Sequence, residues 1–161
     1  TIAFVNECMK LGIDGIFFAV QHAQASLLTL DEVNRFVYPF DDEILKASSK
    51  LWLNVAHLHG KDLYFQAVPK RGIAVLNWHD QETYPSLSIA AESFNGAVCG
   101  GLRQWDTLAY GMPENVRSES LKAISSSRTS RFILGTGCVL PIIAPHSNIM
   151  AVRQAVETIG Q

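Results

Sequence analysis

Charge is scarce in this 161-residue chain: Asp, Glu, Lys and Arg together make up 17% of it, and the formal net charge is -2. A pI near 6.2 provides no basic footprint for holding a phosphate backbone, so nucleic acid is not an expected partner. Long apolar runs are also missing. The stretch Ile13 to Val20 contains Asp14 and stops at Gln21, far short of the roughly 18 to 20 residues that cross a bilayer, and no membrane span is expected. Cysteine is limited to Cys8, Cys99 and Cys138. An odd number, widely separated, argues against a disulfide framework and for a reducing, cytoplasmic setting. There is no internal repeat, and the low-complexity run Ser125-Ser126-Ser127 reads as a surface loop. The chain opens on Thr1 and runs directly into Ile2-Ala3-Phe4-Val5, without the basic start or small-residue cleavage site of a signal peptide, and is expected to be a piece of a longer protein.

What the chain does have is enough apolar residue, 48%, to bury a core. Segments rich in Ile, Val, Phe and Leu occur at Gly15 to Val20, Leu51 to Ala56, Ile73 to Asn77, Ala97 to Gly101 and Arg131 to Gly135. They alternate with stretches of helical character, which predicts an α/β fold with parallel strands. Thr29-Leu30-Asp31-Glu32 has the spacing of a capping box, and the apolar residues from Val33 to Leu45 predict a helix bent near Pro39. Pro113 suits the first turn of a helix through Ile124. A last helix is expected from Ser147, with Ile149, Val152, Val156 and Ile159 as the face that covers the sheet. Periodicity alone fits both a small open sheet and most of an eight-stranded barrel.

In parallel α/β folds the chemistry gathers at the C-terminal ends of the strands. His57-Leu58-His59-Gly60 follows the second apolar segment, and alternation along a strand puts His57 and His59 on one face. With Cys138, just past the fifth segment, they form a nitrogen and sulfur donor set that suits zinc, which in catalytic sites takes three protein ligands and keeps one position open. The same residues also read as two pocket histidines and a buried, inert thiol. Gln21, His22, His79 and Arg103 stand at other strand ends as candidate substrate-binding groups. Asp80 reads as a helix cap or solvated loop residue, Arg103 equally as a carboxylate ligand or a surface ion pair, and Cys99 as core. Gly135-Thr136-Gly137 lacks the rest of a phosphate-binding fingerprint, and there is no Gly-x-Ser-x-Gly elbow.

Several stretches, in order, resemble the second half of uroporphyrinogen decarboxylase family proteins, the superfamily that includes zinc-dependent corrinoid methyltransferases. They are Cys8 to Phe17, Leu30 to Phe40, His57 to Gly60, Gly100-Gly101-Leu102 with Leu108 and Met112 to Val116, and Phe132 to Pro141 followed by Ala144-Pro145 and Asn148-Ile149. The resemblance implies the last five strands of a TIM (β/α)8 barrel over residues 1 to 161, with the N-terminal part of the barrel absent. His57-x-His59 stands where the methyltransferases carry His-x-Cys, and Cys138 stands where decarboxylases show a His. The implied activity is therefore zinc-dependent methyl transfer from a corrinoid, carried by a partner protein, to a thiol whose pKa falls on coordination. A neutral His59 in place of a thiolate would leave more charge on the metal and make the bound thiolate easier to form but less nucleophilic. The alternatives are a cofactor-free uroporphyrinogen decarboxylase acting on a tetrapyrrole, and a non-catalytic corrinoid or tetrapyrrole binding protein. Open sheet edges predict self-association or pairing with the missing half, and the piece alone is expected to be inactive.

Overall fold

The computed structural model describes residues 1–68, 71–127 and 131–159. Strands and helices alternate along it, with five strands in chain order, β1 to β5, and every pairing recorded between them parallel. The expected α/β class is borne out. Two compact units divide the chain, Thr1–Trp78 and His79–Gln161.

The first unit holds α1 (Ile2–Lys10), β1 (Phe17–Val20), α2 (Leu30–Phe36), α3 (Tyr38–Ala47), β2 (Val55–Leu58) and β3 (Val75–Trp78). The capping box forms as read: the Thr29 hydroxyl accepts from the Glu32 amide, and the Glu32 carboxylate accepts from the Thr29 amide at 2.8 Å. The bend is a break into two helices at Val37, where Pro39, lacking an N–H, sits harmlessly in the first turn of α3. β2 starts four residues later than the apolar run suggests. Trp52 is 68% exposed, with its indole N–H donating to Asp14 at 2.9 Å, and Asn54 is fully buried. Asn54 Nδ2 donates to the Ser48 and Gly72 carbonyls, both at 2.9 Å, and its Oδ1 accepts from the Ile16 amide at 3.1 Å. One side chain thereby ties the end of α3, the approach to β1 and the approach to β3. The register pairs Phe17 with Val55 and Val55 with Val75, so the three strands advance in step. Trp78 closes β3 fully buried, its ring edge-on to Phe65 at 5.0 Å.

The second unit holds α4 (Leu87–Ser93), β4 (Ala97–Leu102), a π-helix (Gln104–Ala109), α5 (Pro113–Ser127), β5 (Phe132–Thr136) and α6 (His146–Ile159). Ser125 to Ser127 are the last turn of α5 rather than a loop; each hydroxyl donates to the carbonyl three residues back, which lets serine remain in a helix. The core gathers Leu102, Leu108, Val116 and Ala151. Of the face that the large apolar residues of α6 predict, Val152 packs against the core, but the helix is turned so that smaller residues make its closest approach. Asn148, Ala151 and Ala155 are buried, whereas Ile149 and Val156 are 43% and 48% exposed. Small residues let the helix approach closely, and Asn148 Nδ2 donates to the carbonyls of Leu108 at 3.0 Å and Gly111 at 2.8 Å, fixing the helix by its polar edge. The side chain of Ile159 lies outside the described residues.

Candidate metal and substrate site

His57 belongs to β2 itself, not to the loop after it, and is 4% exposed; His59 follows one residue past the strand end. Their rings lie 5.8 Å apart, centroid to centroid, as alternation along an extended chain requires. Cross-strand pairing places Asn77 of β3 opposite His57, and Nδ1 of His57 meets Oδ1 of Asn77 at 2.7 Å. The Phe17 ring stacks on His57 at 5.8 Å with an interplanar angle of 22°.

The loops after β1 and β2 are laced together. Ala25 donates its amide to the Asp62 carbonyl at 2.9 Å, and Tyr64 donates to the Ala23 carbonyl at 3.1 Å. Gln24 supplies both donor and acceptor, its Nε2 to the Gln21 carbonyl at 2.8 Å and its Oε1 from the Lys61 amide at 3.3 Å. Gly60, directly after His59, has φ +97°, and a Cβ there would lie 1.9 Å from Gln24 Oε1. Glycine is what lets the chain turn tightly against Gln24 at that point. His59 itself donates its amide to the Val20 carbonyl at 3.0 Å.

Gln21 and His22 are exposed in the loop after β1. His22 faces Asp41 of α3, a half-buried carboxyl whose Oδ2 has no hydrogen-bond partner. Burial pushes the Asp41 pKa up to about 6, against the opposing pull of His22. Burial also raises Tyr38 to about 12, with Asp41 and Tyr64 adding to the effect.

In the second unit His79 opens the turn after β3, its carbonyl accepting the amides of Glu82 at 2.8 Å and Thr83 at 2.9 Å. Asp80 is neither a cap nor solvated. It is 8% exposed and accepts the Gly101 amide on both oxygens, at 3.2 and 3.1 Å, with Gln81 Nε2 at 2.6 Å. Burial raises its pKa, and these hydrogen bonds oppose the rise. The space for Asp80 exists because Gly100 has no side chain, since a Cβ there would lie 2.2 Å from Asp80 Oδ1. Arg103 forms an ion pair with Glu119 at 2.8 Å. Cys99 lies on β4, half-buried. Cys138 follows β5, and the Thr136 hydroxyl donates to its carbonyl at 2.6 Å. An apolar cavity of about 210 Å³ lies in this unit among Leu102, Leu108, Leu140, Ile149 and Val152. None of the residues that line it is titratable.

His57 and His59 of the first unit, and His79 and Cys138 of the second, are donors of the types that could hold a metal ion. The fit is chemically sound: imidazole and thiolate suit zinc. From sequence His79 is expected only as a substrate-binding group. Its donor type and strand-end position are the signal that it could also serve as a metal ligand. Asn77 and Asp80 give no such signal, because their roles depend on partners on neighbouring strands.

A run of parallel strands and helices with polar groups at the strand ends defines a partial TIM-type barrel. The profile described as Uroporphyrinogen decarboxylase (URO-D) matches residues 1–159, and the chain belongs to that family. Among solved structures it is similar to a methyltransferase from Methanosarcina mazei, with a TM-score of 0.78 and 19% identity over 99% of this chain and 46% of that one. The chain thus spans under half the length of that structure. No curated protein matches the sequence. Among the described residues no helix is long and apolar enough to cross a membrane.

Proposed function

We propose that this chain is the C-terminal part of a zinc-dependent methyltransferase barrel that moves a methyl group from a corrinoid, carried by a partner protein, to a thiol. The observation that carries the reading is the pair His57 and His59 at the end of β2, together with Cys138 after β5, in a chain of this family that is similar in structure to a methyltransferase. His57, His59 and Cys138 are assigned as the metal ligands, and His79 as a substrate-binding group. When bound, zinc would supply the positive charge that lowers the pKa of a substrate thiol.

The chain's own residues then have distinct tasks. His57 and His59 present imidazole nitrogens from one strand end, and the laced loops hold His59 in place. Thr136 holds the backbone of the loop bearing Cys138. Gln21 and His22 face solvent where a substrate would enter, and Arg103 contributes charge only after leaving Glu119. The rest of the barrel, supplied by another part of the protein or by a partner chain, would cover the open side of β1, where Phe17 is 66% exposed.

The test is elemental analysis of the chain purified from zinc-replete medium, beside His59→Ala and Cys138→Ala. The reading expects about one zinc per chain, falling sharply in both variants. Zinc-free protein would refute it and bring forward a metal-free decarboxylase or a binding-only protein.

A further inference from the structure

We infer that Asn77 is a positioning residue that holds His57 in the tautomer protonated at Nδ1, so that Nε2 is the atom presented to a metal ion. The part that concerns the metal rests on the zinc reading above; the part that concerns the tautomer does not.

Parallel pairing of β2 with β3 sets His57 opposite Asn77, both side chains on the same face of the sheet. Both are buried, His57 at 4% and Asn77 at 5% exposure. An amide oxygen has no proton to give, so the 2.7 Å contact between Nδ1 and Oδ1 requires the proton to be on the ring. The stacked Phe17 ring covers one face of the imidazole, so a flip that exchanged the two nitrogens would have to disrupt both contacts. Free neutral histidine favours the other tautomer, with the proton on Nε2. Holding the less favoured form is useful where Nε2 must carry a lone pair, and partners of this kind, opposite the ligating nitrogen, orient metal-binding histidines and raise their basicity.

The measurement is the imidazole nitrogen spectrum of ¹⁵N-labelled chain, metal-free at pH 8, for the parent and for Asn77→Leu and Asn77→Asp, followed by zinc affinity of each by chelator competition. The parent should show His57 protonated at Nδ1. Asn77→Leu, close in size but without an acceptor, should move His57 toward Nε2–H and weaken zinc about 10- to 100-fold. Asn77→Asp retains an acceptor and should retain both the tautomer and the binding. A parent spectrum with the proton on Nε2 overturns the inference before any variant is made, and so does Asn77→Leu with an unchanged tautomer. A parent locked at Nδ1–H that binds no zinc overturns the zinc reading and leaves Asn77 as the residue that sets the His57 tautomer.

Discussion

Asn54→Ala tests how the first unit is held together. The substitution removes three hydrogen bonds in one step, those to the Ser48 and Gly72 carbonyls and from the Ile16 amide, at a site with no solvent exposure. A typical intramolecular hydrogen bond contributes about 1 kcal/mol net, and a buried group left without its partner costs roughly 1–3 kcal/mol. Some of the orphaned groups will recruit water into the space vacated by the amide, so the expected loss is about 3 kcal/mol. Urea unfolding monitored by tryptophan fluorescence would read it, and faster exchange of the Ile16 amide would locate it. Asn54→Asp is expected to be no better: it retains an acceptor for Ile16 but loses both donors and buries a charge. A loss below about 1 kcal/mol, with Ile16 exchange unchanged, would refute the view that Asn54 pins these segments.

Asp41→Asn should stabilise the protein at pH 8 by roughly 1–2 kcal/mol, because one unit of pKa shift is worth about 1.4 kcal/mol and part of it is screened. A carboxyl raised to about 6 from 3.8 favours the folded state when protonated, so the parent gains stability as pH falls through 6. The advantage of the variant should therefore shrink across that window and vanish below pH 4, as read from urea midpoints. On α6, Ala155→Leu should cost at least 1–3 kcal/mol by overpacking, whereas Val156→Ala should change stability by less than about 1 kcal/mol. Thermal melts showing the reverse order would restore the face read from the apolar spacing.

The local signals were legible. Thr29 and Glu32 are three residues apart and satisfy one another, and the two histidines follow from the alternation of a single strand. The family order placed Cys138 beyond β5, where it is found. What escaped is set by partners distant in sequence. Asn54 reaches a residue 38 positions away, Asn148 one 40 away and Asp80 one 21 away, and nothing in the neighbouring residues marks such an amide or carboxylate as structural rather than exposed. The same blindness moved the start of β2: Leu51-Trp52-Leu53 is apolar enough for a strand, yet Trp52 spends its indole on Asp14 at the surface. On α6, hydrophobicity pointed to Ile149 and Val156, but the closeness of the neighbouring elements selected the alanines.

The lacing of the loops after β1 and β2 also bears on how this region can be lengthened or cut. Because the backbone of Ala23 and Ala25 is bonded to that of Tyr64 and Asp62, with Gln24 bridging to Lys61, a residue inserted between Val20 and Gln24 would pull on Lys61 and, through Gly60, on His59. Loop transplants here should succeed only as matched pairs. The two segments behave as one cassette, exchanged whole or not at all.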